Sequence, residues 1–376
     1  MSFRRKTSTT SSSLRSGTKP FLNGQTLVSS GLSELDTALG GGLLLRTLNI
    51  VETSTLVEVE TTFGLDLSCR ASDALAIDLL RYFLAEGVAD AKQRVALVAP
   101  DASGFFKEQL PLELSLAQKQ VKEQLAHKEK KDAPLTIAWQ YGKYNEKQSK
   151  CNPRFCHSFD LSKTMHHEMT SANEPIAFDL LGVLETNAVI GDTYDHLYLM
   201  LEGLIQQKEE RDGQVLRIGM FGLGSPLLGP ADAAHMTALF GFFRRLRALL
   251  CQSDDTVCLT VLASDVQSVF PAAFINELRH VADSVLTLKS FAGSRDLLPD
   301  ELQEFQGSLT LKKLPRVYAL ACQPTSNARL GVKRDRRKLK FEKFHLPPEG
   351  SRSNSSHSSS CSITSSSTGG PDLLAF

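Results

Sequence analysis

Gly40, Gly41 and Gly42 stand between a short helical pattern, Ser33–Leu39, and an apolar run, Leu48–Val51. Glycines there allow a tight backbone reversal at low steric cost. A phosphate-binding turn would follow the run as GxxxxGKS/T, in which backbone N–H groups cradle phosphates and the lysine meets their charge. The residues that follow are Glu52-Thr53-Ser54-Thr55-Leu56-Val57-Glu58-Val59-Glu60. No lysine occurs between Lys19 and Lys92, and Gly64 is the only glycine between Gly42 and Gly87. Glu52, Glu58, Glu60 and Asp66 would repel phosphate. The second half of such a site is an apolar strand ending in Asp or Glu, which holds Mg²⁺ through water. The matching run, Val215–Phe221, leads into Gly222-Leu223-Gly224-Ser225 with no carboxylate at its end. Two independent absences predict a chain that neither binds nor hydrolyses ATP by itself through such a loop.

Other chemistries fare no better. His167-Glu168 has no second histidine at the spacing of a zinc-protease helix. Ser225 lies in GLGSP rather than GxSxG, and with Pro226 it reads as the cap and start of a loop or helix. Cys151, Cys156 and His157, with His166 and His167 nearby, match zinc spacing poorly, because no second cysteine pair follows. A polar loop carrying them is the simpler reading. No catalytic, cofactor-binding or metal residue is assigned.

The elements that would position any site follow from composition and pattern. The chain has 376 residues, 41% hydrophobic and 22% charged, an ordinary globular balance. Its formal net charge is zero, so any RNA contact must come from a local patch or from partner subunits. Seven scattered cysteines predict a reducing compartment, cytosol or nucleus. No apolar run approaches bilayer length, and the N-terminus lacks a signal-peptide core. Residues 1–27 are basic and Ser/Thr-rich, and residues 350–376 are Ser-rich; both are expected to be disordered tails. The folded domain is expected over 28–349, with irregular segments at 53–72 and 141–192.

Within that span, strand and helix patterns alternate. Strands are predicted at 48–51, 94–98, 135–139, 215–221, 257–262, 284–288, 309–317 and 338–344. Helices are predicted at 73–86, 112–131, 194–209, 232–252 and 272–281. Asp73 would start the first of these and Gly87 would end it. Alternation of this kind implies βαβ units and a mostly parallel sheet. The last two strands lack an intervening helix and are expected to form an antiparallel edge.

The run Ser30–Gly42 followed by a strand is similar to the opening of RecA-like ATPase domains. Six segments together resemble the fourth subunits of the Elongator complex: SGLSELDTALGGG (30–42), RYFLAEG (81–87), IAWQY (137–141), RFCHSFDLSKTM (154–165), LRIGMFGLGSPLLG (216–229) and KFHLPPE (343–349). The resemblance implies an α/β RecA-like fold without Walker A and Walker B motifs. It implies a non-catalytic subunit without a cofactor of its own, in a hetero-hexameric ring with the fifth and sixth subunits. That ring binds tRNA, carries any ATP, and serves the core subunits that modify carbon 5 of the wobble uridine. It implies a cytoplasmic and nuclear location. The chain departs from the family at 53–72. A divergent RecA-like ATPase acting on nucleic acid is the alternative, against which the missing lysine and strand-end acid stand.

Two basic groups are candidates for RNA or partner contact. Lys333, Arg334, Arg336, Arg337, Lys338 and Lys340 precede the last strand. Three readings compete: a solvated strand flank, an RNA phosphate contact and a nuclear localisation signal. Arg244 and Arg247 share one face of the 232–252 helix, with Arg245 beside them. A polar helix surface competes there with a subunit contact.

Overall fold

The computed structural model describes residues 15–53, 62–90, 92–114, 155–187, 189–207, 214–293, 298–299, 302–316 and 329–344. The strands in chain order are β1 (Thr18–Pro20), β2 (Thr26–Val28), β3 (Leu43–Leu44), β4 (Leu48–Thr53), β5 (Gln93–Ala99), β6 (Pro111–Glu113) and β7 (Phe159–Thr164). They continue as β8 (Ile176–Asp179), β9 (Val215–Phe221), β10 (Thr256–Leu262), β11 (Ser284–Ser290), β12 (Gly307–Lys313), β13 (Arg329–Arg334) and β14 (Leu339–Lys343). The helices are α1 (Ser33–Ala38), α2 (Thr62–Ala89), α3 (Ala102–Glu108), α4 (His167–Asn173), α5 (Leu180–Thr186), α6 (Ile190–Gln206), α7 (Ala233–Gln252), α8 (Ser264–Val269) and α9 (Ala272–Val281).

Nine strands form the main sheet in the order β14-β13-β12-β11-β4-β10-β9-β5-β8. From β11 to β8 every pairing is parallel, and β12, β13 and β14 extend one edge in antiparallel fashion. The central strands are buried along their length because both faces are covered. Val51, Val95 and Leu259 face a core shared with Leu79 and Phe83 of α2. Leu48, Ile50 and Ala96 face the opposite core, with Leu197 of α6, Phe243 and Leu246 of α7 and Leu278 of α9. This alternation along β4 puts a helix layer on each side of the sheet. The expected α/β architecture, a mostly parallel sheet flanked by helices, is the one observed.

Several boundaries differ from expectation. Residues 18–27, expected within a disordered tail, form β1 and all of β2 but Val28; the two strands pair with each other, and β2 also pairs with β3. Short strands of this length are too brief for periodicity to reveal. Helix α2 begins at Thr62, so part of the 53–72 segment is helical and Asp73 lies inside the helix. Gly87 does not end it. A Cβ on Gly87 would lie 2.6 Å from Val95 Cγ2 and 2.7 Å from Arg217 Cδ, so the glycine serves a close approach. The 141–192 stretch, expected to be loops, holds β7, α4, β8 and α5. The predicted neighbours at the last edge are separated by β13, which the pattern did not reveal. Residues 111–113 form β6 rather than the start of a helix. The rest of that predicted helix and the 135–139 strand lie outside the described residues. No helix among the described residues is long and apolar enough to cross a membrane.

Candidate functional site

Open parallel sheets place ligands beyond the carboxyl ends of their strands. At the end of β4 that crevice is occupied by the chain's own polar groups. The Asp73 carboxylate, on α2, accepts hydrogen bonds from Thr53 Oγ1 at 2.9 Å, from the Ser264 backbone N–H at 2.9 Å and from Ser264 Oγ. Gln267 of α8 donates to the Thr53 carbonyl. Beside Ser264, Asp265 Oδ2 accepts from Ser225 Oγ at 2.9 Å, and Ser225 Oγ also accepts from the Leu227 N–H at 3.5 Å. The expected cap role of Ser225 is thus observed, with Pro226 opening a short 3₁₀ turn. The arrangement ties α2, β4 and the β10–α8 junction together. It contains carboxylates, hydroxyls and amides but no lysine or arginine, so a phosphate would meet a like charge.

On the other face of β4, Glu52 is fully buried. It accepts from Arg279 Nε at 2.6 Å, Lys312 Nζ at 2.7 Å and Thr287 Oγ1 at 2.7 Å. Burial pushes its carboxyl up, but the hydrogen bonds from Lys312, Thr287 and Arg279 outweigh that and hold it below the ordinary range. A lowered folded-state pKa gives stability that is present above the unfolded value and lost as pH falls through the folded one. Urea midpoints of the wild type should therefore drop as pH falls below the ordinary Glu range. Glu52→Gln should be less stable near neutrality and show a flatter profile on the acid side. Parallel profiles for the two proteins would remove Glu52 as the cause.

A third cluster lies between α2 and β9. Arg217 is fully buried in an otherwise apolar strand. Its Nε donates to Gln93 Oε1 at 2.5 Å, and Nη1 donates to the Ser29 carbonyl at 2.7 Å and the Phe83 carbonyl at 3.4 Å. Its Nη2 has no partner among the described residues. Nearby, Asp36 accepts from Ser29 Oγ at 2.6 Å and from the Ser30 N–H and Oγ at 2.7 Å each. Glu86 accepts from the His157 N–H at 2.8 Å and lies 2.7 Å from its Nδ1. Burial is the main force on Asp36 and raises its carboxyl above the ordinary range; the Ser29 and Ser30 bonds oppose this and Glu86 adds to it. Burial likewise lowers the pKa of Arg217, while Glu86, Asp36 and Asp90 favour its charge. The polar residues of four of the six motifs, at 30–42, 81–87, 154–165 and 216–229, thus meet in one interior network.

The weak zinc candidate falls partly in this network. Cys156 Sγ points to the His157 carbonyl, and burial pushes its thiol up to about 12, so it stays protonated at neutral pH. His157 is engaged with Glu86, and Cys151 lies outside the described residues. Among the described residues no group of three His, Cys, Asp or Glu side chains is placed to hold a metal ion.

The predicted basic residues are dispersed. Arg334 pairs with Asp78 of α2, and its backbone N–H donates to Gln306 Oε1 at 2.8 Å. Lys333 bridges Glu304 at 3.0 Å and Glu342 at 2.8 Å. Arg336 and Arg337 are exposed in the β13–β14 turn, and Lys338 and Lys340 are half-buried. On the other side of the sheet, Arg247 pairs with Asp283 at 2.6 Å. Arg244 lies 5.8 Å from the Phe240 ring, and Arg245 pairs with Asp195. The structure does not bring the 333–340 and 244–247 groups together. Sequence reasoning missed Asp73 as a crevice group and Arg217 as a buried anchor. The signal for Arg217 was readable: a charge inside an apolar strand must be partnered when both faces are covered.

The family model described as PAXNEB protein matches residues 11–373. Elongator complex protein 4 of Danio rerio is 32% identical, with 89% of this chain and 85% of that protein aligned. The Xenopus laevis protein of the same name is 29% identical over 89% of this chain and 83% of its own length. Among solved structures, a KaiC-like protein from Pyrococcus horikoshii aligns with 84% of this chain and 98% of its own, at 10% identity and a TM-score of 0.38. The family-model match over nearly the whole chain and the near full-length sequence similarity agree: the chain belongs to the PAXNEB family, with the Elongator complex protein 4 sequences among its relatives.

Proposed function

We propose that this chain is a non-catalytic subunit of the Elongator complex. In this reading it forms a hetero-hexameric RecA-like ring with the fifth and sixth subunits. The ring binds tRNA and supports carbon-5 modification of the wobble uridine by the core subunits, in cytoplasm and nucleus. The near full-length similarity to Elongator complex protein 4 sequences carries this reading. The strand-end crevice supports the non-catalytic part. Asp73 and its hydroxyl and amide partners take the place where a nucleotide would need cations, and no lysine stands between Lys19 and Lys92. Any ATP belongs to the assembled ring.

Affinity purification of the tagged full-length chain tests the assembly. Two further RecA-like proteins should co-purify in equal amounts. A null strain should lose carbon-5 side chains from wobble uridines in nucleoside profiles of its tRNA. A chain that purifies as a stable, ATP-hydrolysing monomer, or a null strain with normal nucleosides, would overturn the reading.

A further inference from the structure

A cleft of about 820 Å³ opens at the amino ends of β4, β10 and β11, the opposite end of the sheet from the Asp73 crevice. Arg15, Arg46, Arg247, Lys313 and Arg316 line it, against Asp254 and Asp283. Five cations facing two carboxylates leave an excess of three positive charges in a chain whose net charge is zero. Both carboxylates are already engaged. Asp283 accepts from Arg247 at 2.6 Å and from the Leu48 N–H at 2.9 Å, and Asp254 pairs with Arg46 at 3.2 Å. Among the described residues, the surplus cations hold only neutral oxygens or no acceptor. Arg15 donates to the Asp254 carbonyl at 2.7 Å. Lys313 donates to the carbonyls of His280 at 2.9 Å and Arg279 at 3.2 Å and to that of Ala282. Arg316 is exposed, with no carboxylate partner among the described residues.

Carbonyls satisfy donors without cancelling charge, so the cleft retains a local positive field. Lys313 reflects the crowding. Burial pushes its ammonium down, Asp283 opposes, and Arg316 and Arg247 add to the push. An anion between them would relieve it. Among the described residues no Phe, Tyr or Trp lines the cleft and His280 is the one aromatic ring beside it, so it offers little surface on which bases could stack. Its chemistry suits phosphate oxygens rather than a nucleobase.

We propose that this cleft binds the phosphodiester backbone of RNA, without reading base sequence, through Arg15, Arg46, Lys313 and Arg316. The choice of RNA among polyanions rests on the proposed function; the preference for phosphate oxygens rests on the charges. Engaging three phosphates of a single strand gives a log–log salt slope of about −2.

The test uses the full-length chain and fluorescence anisotropy with a labelled oligouridylate and a labelled tRNA across a salt series. The double variant Arg15→Glu, Arg316→Glu removes no ion pair among the described residues, and circular dichroism confirms that it folds. It should weaken binding of both RNAs by about tenfold and bring the slope towards zero. Arg336→Glu with Arg337→Glu should leave both quantities unchanged. Inorganic phosphate at the same phosphate concentration as the oligonucleotide should not compete. Unchanged affinity and slope in the first variant, no RNA binding by the wild type, or full competition by inorganic phosphate would each overturn the proposal. Failure of the Elongator reading would show instead in the affinity purification of the wild-type chain, which does not depend on these arginines.

Discussion

Replacing Arg217 by methionine is expected to destabilise the fold by about 3–5 kcal/mol, the cost of removing one partner from a buried charged network. Methionine keeps the length and most of the volume, so packing against the Phe83 ring changes little. The charge and the forked donors are lost. The Ser29 carbonyl and Gln93 Oε1 lose their donor, and the buried Glu86 and Asp36 lose a cation whose charge they favour. Arg217→Lys keeps the charge but cannot reach Gln93 and Ser29 together, so about half of the loss should remain. Urea unfolding of the full-length chain at neutral pH reads both. A cycle with Glu86→Gln should show coupling of about 1 kcal/mol or more, because both act through one network. A methionine variant within about 0.5 kcal/mol of wild type would mean that Arg217 does not hold the network together.

Asp73→Ala is expected to cost about 3 kcal/mol, since the Ser264 N–H, the Ser264 hydroxyl and the Thr53 hydroxyl lose a charged acceptor at one stroke. Asn at 73 keeps one acceptor oxygen for Thr53 and the Ser264 N–H, and Ser264 Oγ can turn to accept from the amide. Asp73→Asn should therefore cost about 1 kcal/mol. The contrast separates the carboxylate's charge from its shape. Removing Asp73 should not create a nucleotide site. ATP titrated calorimetrically into either the wild type or the alanine variant should give no binding heat, because the crevice still lacks a lysine to meet phosphate charge. Heat with micromolar affinity in the wild type, abolished by a change at Thr53, would contradict the non-catalytic reading.

The two networks respond to pH with opposite signs. Glu52, held below its ordinary range, gives stability that acid removes. Asp36, raised by burial, favours its protonated form, so its contribution is present in acid and fades as pH rises through the folded value.

Residue pattern alone fixes much of this molecule. Strands β4, β9 and β10 are apolar runs because both of their faces are covered, and such runs read directly from the chain. The long helices α6, α7 and α9 carry an apolar stripe that the 3.6-residue period exposes. The absence of a lysine between Lys19 and Lys92 is equally local. Only tertiary structure decides the rest. Strand β8 has four residues and β13 has charged ends, so neither carries enough period to be recognised without its neighbour. Gly87 looks like a helix end until the Arg217 side chain is seen crossing it. The basic run at 333–340 looks continuous along the chain, yet Asp78, Glu304 and Glu342 neutralise its first members from elsewhere in the fold. The amino-end cleft gathers Arg15, Arg46, Arg247 and Arg316 from positions up to 301 residues apart, and no window along the sequence contains it. Hydrophobic periodicity is a property of neighbours in the chain; electrostatics is a property of neighbours in space, and folding alone determines which charges those are.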